Sequence, residues 1–275
     1  MPRTARKNTR RPRRTTRKRS KNSAWGHRLK TMGRHLLYAL LGIVALSALV
    51  YFILPGIFYS IYNRAIGSYR PLQGEVYDGI DVSHHNGRID WARVASDENV
   101  KFAYIKATEG YNHTDDLYHY NIGNARQAGI KTGSYHLLTT KTSMRTQFQS
   151  FCKEVDREQQ DLIPMVDIEE VKVRSWNRKA LHDSLRVFIQ LMKEHYDVSP
   201  VIYCSYKFYK HKLSPEFDDQ ILFLARYGRE EPTLGNGKKE HDIWQFTEHG
   251  TIAGIEGDVD LDRFGSNTTL ADISY

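Results

Sequence analysis

Cysteine is almost missing from this chain, with two in 275 residues. Two thiols cannot build a disulfide framework, and Cys152 in "TQFQSFCKEV" and Cys204 in "PVIYCSY" lack any zinc-type spacing. They read as two separately buried thiols, although an oxidising compartment permits a bridge where their Cβ atoms meet. Acidic residues are missing altogether from residues 1–34, which hold 14 Lys and Arg. Charge of either sign is missing between His35 and Arg64. Long apolar runs are missing outside "LLYALLGIVALSALVYFIL", residues 36–54.

These gaps divide the chain. The formal net charge of +8 averages two unlike parts: removing the 14 basic residues of the tail from 40 leaves 26 against 32 acids, so residues 35–275 carry −6. The apolar run would rise about 28 Å as a helix, close to the hydrocarbon thickness of a bilayer. It ends in the bulky "FILPGIFYSIY" and not in the small residues of a cleavage site, so an uncleaved signal anchor is expected. The positive charge before the run places the N-terminus in the cytoplasm. Beside such a span the tail reads as a topology signal that attracts anionic lipid headgroups, and no nucleic-acid partner is expected. The expected organisation is a basic cytoplasmic tail (1–34), a transmembrane signal anchor (35–62), a stalk (63–76) and one external domain (77–275) of the size a single core supports. The stalk extends at most roughly 45 Å.

The external domain carries eight short β-type runs: "YDGIDVS" (77–83), "KFAYIKAT" (101–108), "IKTGSYHL" (130–137), "LIPMVDIE" (162–169), "PVIYCSY" (200–206), "ILFLARY" (221–227), "DIWQFT" (242–247) and "DVDLDRF" (258–264). Helical-looking segments fill the first four gaps, "DWARVASDEN", "DLYHYNIGNARQAG", "SMRTQFQSFCKEVDRE" and "RKALHDSLRVFIQLMKEHY". After the fifth run only a turn near "KFYKHKL" fits. Alternation of this kind predicts a parallel sheet closed into an α/β barrel, its last strands joined by loops or hairpins.

Chemistry in such barrels sits at the C-terminal ends of the strands. Four runs deliver acids there: Asp81, Glu109, the pair Asp167 and Glu169, and Asp260. In "VDIE" the two acids stand at i and i+2 of a strand, on one face and about 6.6 to 7 Å apart between Cα atoms, with Ile168 turned outward. Two carboxyl groups about 5 to 9 Å apart are what glycosidic bond hydrolysis requires. Repulsion and burial would raise the pKa of one and keep a proton available.

The order and spacing of "YDGIDVSHHNGRIDW", "FAYIKATEG", "GSYHL", "PMVDIE", "PVIYCSYKF", "LARY", "IWQFT" and "GDVDLDRF" resemble the family 25 glycoside hydrolases, the lysozymes or N-acetylmuramidases, over about residues 77–265. The resemblance implies a TIM-like (β/α)5(β)3 barrel, here preceded by the transmembrane helix, and cleavage of the β-1,4 bond from N-acetylmuramic acid to N-acetylglucosamine in peptidoglycan. It implies Glu169 as general acid and Asp167 as the group that stabilises the charged centre, with covalent and acetamido-assisted routes both open. Asp81 and Asp260 match two further acids of the family's pocket. Leu137 and Asp262 depart from its pattern, where an aromatic residue and Asn are usual, and bear on subsites and not on the acid pair.

Tyr135, Tyr203, Tyr227 and Trp244 lie near strand ends and are expected to bind sugar together with Glu109, while Phe102 and Tyr104 are assigned to the core. No cofactor and no metal is expected. Two rivals stand beside this reading. Asp81 with His84 and His85 resembles the ligand set of a metal-dependent carbohydrate deacetylase, although adjacent strand histidines face opposite sides. The same groove would also serve a silent peptidoglycan-binding module. The favoured reading is a wall hydrolase on a single-pass membrane anchor, N-terminus inside, acting on the cell's own wall close to its membrane.

Overall fold

The computed structural model describes residues 22–48, 69–72, 74–234 and 241–275, in two compact units, Met1–Ile61 and Tyr62–Tyr275. In the first, α1 spans Asn22–Ala48, and every large apolar side chain from Leu36 to Leu46 is more than half exposed. The apolar part of α1 from residue 36 rises only about 20 Å. Among the described residues no helix is long and apolar enough to cross a membrane. The rest of the expected span, residues 49–62, and most of the basic tail lie outside the described residues.

The second unit is a closed barrel. Its strands are β1 (Gly79–Val82), β2 (Phe102–Glu109), β4 (Lys131–Leu137), β5 (Met165–Asp167), β6 (Val201–Ser205), β7 (Leu222–Ala225), β8 (Ile243–Gly250) and β9 (Val259–Phe264), with β3 (His113–Thr114) as a short hairpin partner at the end of β2. Pairing runs β1-β9-β8-β7-β6-β5-β4-β2, and β2 returns to β1. All neighbours are parallel except β9, which lies antiparallel between β8 and β1. The expected eight strands and the hairpin ending are therefore present.

Side-chain parity builds two layers. Phe102, Tyr104, Tyr135, Met165, Phe223 and Ile243 fill the barrel. Alternate residues, among them Ile80, Ala103, Val166, Ile202, Leu224 and Trp244, face outward and belong to the cluster that includes Phe151, Leu185 and Phe188 of the surrounding helices. This is the period-2 rule of a strand buried on both faces. Gly133 makes room inside: a Cβ there would lie 2.5 Å from the ring of Tyr104, whose hydroxyl donates to the Ile163 carbonyl.

Helices α3 (Tyr118–Gln127), α4 (Met144–Glu154) and α6 (Arg178–Tyr196) occupy the expected gaps. The start of α6 is fixed by Asn177, whose side chain accepts from the Ala180 amide, the usual N-cap bond. The first gap departs from expectation, because "DWARVASDEN" forms only the single turn α2 (Trp91–Val94). The Asp90 side chain caps that turn and its amide is tied to the Gly254 carbonyl. Beyond it Asp97 binds the Asn99 amide in a side-chain turn that competes with helix.

The stalk expectation also needs correction. Residues 69–72 and 74–77 are strapped onto the barrel: Thr247 donates to the Tyr69 carbonyl, Arg70 pairs with Asp258 at 3.1 Å, and Glu75 accepts from Tyr69, the Leu72 amide and Arg263. Tyr69 and Tyr77 pack against the core. Gly and Pro suggested a stalk here, but Tyr69 and Glu75 find partners on β8 and β9, and Tyr77, just after it, donates to Asp97.

Candidate active site

A cleft of about 490 Å³ opens at the C-terminal ends of the parallel strands and is lined by Asp81, Glu109, Tyr135, Asp167, Glu169, Tyr203, Tyr227 and Asp260. Eight of the nine residues expected at the site therefore converge. All but Glu109 arrive by strand parity. Asp167 is the last residue of β5 and points inward, Ile168 turns outward and is fully buried, and Glu169 is exposed at the mouth, where it precedes the one-turn helix α5 (Glu170–Val173). Asp81 and Asp260 are register partners on antiparallel β1 and β9.

The ninth, Trp244, does not line the cleft. It is 1 % exposed, and its Nε1 donates to the Arg226 carbonyl at 2.7 Å on the outer side of β8. The inward neighbour is Gln245, which the sequence reading missed. Its Nε2 donates to Asp81 at 2.6 Å, and its Oε1 accepts from Tyr203 at 2.8 Å and from Tyr227 at 3.1 Å. One amide thus fixes an acid and two phenols beneath the cleft. Inward Ile243 sets the parity of "IWQF", and reading from it would have chosen Gln245.

Glu109 does reach the cleft, but both its oxygens are taken, by Lys106 at 2.9 Å and by Lys172. Lys106 is nearly buried inside the barrel and Lys172 sits on α5. Neither lysine was foreseen. A β-bulge between Lys106 and Thr108 lets Glu109 share a face with Lys106, which plain alternation would forbid.

Burial dominates the electrostatics. It raises Asp81 to about 6, against the opposing hydrogen bond from Gln245. Burial likewise pushes Asp167 well above the usual carboxylate range, helped by the charges of Glu169 and Asp81, and Asp167 Oδ1 has no partner. Asp260 is raised by burial and by Asp81. Asp262, below them and fully buried, has neither oxygen hydrogen-bonded, and burial with the charges of Asp81 and Asp260 raises it well above its usual value. Glu109 runs the other way: burial raises it, but Lys172 and Lys106 outweigh that and hold it at about 2. A floor of carboxyls that burial disposes to hold their protons, beside one fixed anion, is a setting suited to acid catalysis.

His84 is committed elsewhere, its Nδ1 lying 2.6 Å from Asp115 and its amide donating to the same carboxylate. Among the described residues no group of three or more His, Cys, Asp or Glu is arranged to hold a metal ion. A hollow of similar volume between Arg88, Trp91 and Tyr120 lies on the outer face; its acid, Asp90, caps α2.

Comparison with known proteins agrees with this geometry. The family described as glycosyl hydrolases family 25 matches residues 80–255. The chain is 32 % identical over 190 residues to YegX of Escherichia coli, covering 68 % of each. It is 30 % identical over 217 residues to Lysozyme M1 of Streptomyces globisporus, covering 74 % of this chain and 72 % of that one. Among solved structures, the bacterial lysozyme of Streptomyces coelicolor superposes with a TM-score of 0.65 at 28 % identity, over 73 % of this chain and 96 % of that one.

Proposed function

This chain belongs to glycosyl hydrolases family 25 and is a glycoside hydrolase of the lysozyme type, and we propose that it cuts the β-1,4 bond between N-acetylmuramic acid and N-acetylglucosamine of peptidoglycan, with Glu169 as general acid and Asp167 as the group that steadies the developing positive charge. One observation carries the assignment: consecutive inward positions give one carboxyl that is buried with an unpartnered oxygen and one that stands exposed at the mouth.

In the free enzyme, desolvation and the neighbouring acids favour a proton on Asp167. A glycan strand that excludes water and brings an amide N–H to Asp167 Oδ1 favours the carboxylate there, and the proton moves to Glu169, within reach of the leaving oxygen. The Asp167 carboxylate then faces the positive charge that forms at the anomeric carbon or on the acetamido group. Asp81, held by Gln245, and Asp260 orient water or the acetamido group from the opposite wall. Tyr135, Tyr203 and Tyr227 offer ring faces to the pyranoses and hydroxyls to their edges.

The test uses the full chain in detergent and its Glu169→Gln variant on purified peptidoglycan, with released fragments read by mass spectrometry. The expected result is disaccharide peptides with reducing N-acetylmuramic acid ends from the native chain, and a loss of at least about 100-fold in the variant. Fragments with reducing N-acetylglucosamine ends, or equal release by both chains, would overturn the assignment.

The same reading places the enzyme on a membrane, N-terminus inside and barrel outside. Its support is the uncharged run 36–54, the unburied apolar surface of α1 and the basic residues before it. Because residues 69–72 and 74–77 are strapped onto the barrel, little of the expected stalk is left to extend, so the cleft works on wall close to its own membrane. Extraction of the full chain from membranes by alkaline carbonate would refute the anchor.

A further inference from the structure

We infer that the Lys106–Glu109–Lys172 triad is the charge regulator of the acid pair, with Lys172 as a positioning residue whose hold on Glu109 ties the turn carrying Glu169 to β2 and sets the pH range over which the pair keeps its proton. The inference rests on the muramidase reading and extends it to three residues to which the proposed mechanism gives no step.

The geometry is specific. Lys172 stands on the first turn after Glu169, and its amide donates to the Glu169 carbonyl at 3.0 Å. Its ammonium reaches across the mouth to Glu109, the last residue of β2, which also holds Lys106. The bulge in β2 is what brings Lys106 and Glu109 to the same face. The bridge therefore spans two strand ends and clamps the short α5 turn, which has no side-chain cap of its own.

Its charge matters as much as its position. Facing the pair are Asp81 from β1, His85 just after it, Asp258 just before β9, Asp260 from β9 and Glu248 from β8, together with the phenols of Tyr135 and Tyr203 from β4 and β6 and of Tyr227 just beyond β7. Among the described residues that line the cleft, Lys106 and Lys172 supply the fixed positive charge. Unopposed acids would hold the pair's proton too tightly for transfer, and two free lysines would strip it. Glu109 cancels one of the two, leaving the triad at +1.

This bookkeeping of charge gives an experiment in which direction, and not only loss, is read. Removing Lys172 takes the triad to 0, removing the Glu109 charge takes it to +2, and removing both restores +1. The alkaline limb of the pH profile of kcat/KM reports loss of the pair's proton. In the full chain, Lys172→Met should move that limb up by about 0.5 to 1 pH unit and Glu109→Gln should move it down by a similar amount. The double variant should return it near the native position while kcat stays reduced, because the clamp is gone. Lys172→Arg keeps the charge and should keep the limb.

Limbs that stay fixed, or that move the same way in both single variants, would overturn the inference while leaving the muramidase assignment intact, since the native chain would still release muropeptides. If Glu109→Gln does not fold, as judged by its near-ultraviolet circular dichroism, the upward limb of Lys172→Met and the native limb of Lys172→Arg decide alone. An inactive native chain would refute the functional reading instead.

Discussion

Asp81→Asn should make this protein more stable at neutral and alkaline pH and no more stable in acid. Asp81 is 9 % exposed, and burial lifts its carboxyl from 3.8 to about 6. A raised folded value means that the group's contribution is intact below the unfolded value and is lost as pH rises through 6, because the folded state must give up a proton it holds more tightly than the unfolded chain does. The rise is about 2 pH units at about 1.4 kcal/mol each, so the ionised residue costs about 3 kcal/mol above roughly pH 7. Asn cannot ionise and still accepts the Gln245 Nε2 bond. For a unit of this size, 3 kcal/mol corresponds to a melting shift of about 6 to 12 °C. Melting of both chains by circular dichroism at about pH 4, 6 and 8 should show a gap near zero, then growing, then level. Catalytic rate should fall in the same variant, since the acid is held in the cleft at a stability cost. A gap that is the same at every pH would mean that Asp81 is well solvated in the folded state, and the account of the cleft floor would be wrong.

Two further outcomes separate packing from function. Trp244→Phe should lower stability by about 1 to 3 kcal/mol through lost contacts and the orphaned Arg226 carbonyl while leaving KM for peptidoglycan unchanged, whereas Tyr203→Phe, which removes one of the two phenol donors to Gln245 Oε1 beneath the cleft, should raise KM or lower kcat; an unchanged melting curve for the tryptophan variant would contradict its place in the outer layer. Glu75→Ala should destabilise the barrel by about 1 to 3 kcal/mol in denaturant melts, because three donors lose their acceptor, and no change would mean that residues 69–77 behave as a free linker.

The barrel was legible because both of its periodicities survive in the chain. The strand runs, the helix that begins at Arg178 and the inward acid pair around Ile168 follow from local pattern, and of the eight expected site residues that converge all but Glu109, which a bulge turns inward, do so for that reason. The errors came where local pattern is ambiguous. "IWQF" allows either parity, and an aromatic residue was chosen over the inward Gln245. "DWARVASDEN" has helical composition, but Asp97 turns it. "RAIGSYRPLQGEV" has linker composition, but its partners lie more than 170 residues away, on β8, on β9 and at Asp258 just before β9.

The amino-acid order by itself determined what depends on neighbours along the chain: the charge-free run, the alternation of elements, and the two carboxyls on one face of one strand. Only the closed barrel decided what depends on neighbours in space. It took Asp167 out of water and left its oxygen unpartnered, set Gln245 under three side chains from three other strands, and used a bulge to turn Glu109 toward two lysines. Burial, pairing and the proton inventory of the cleft are properties of that enclosure, because desolvation acts on a group only once distant segments have closed around it.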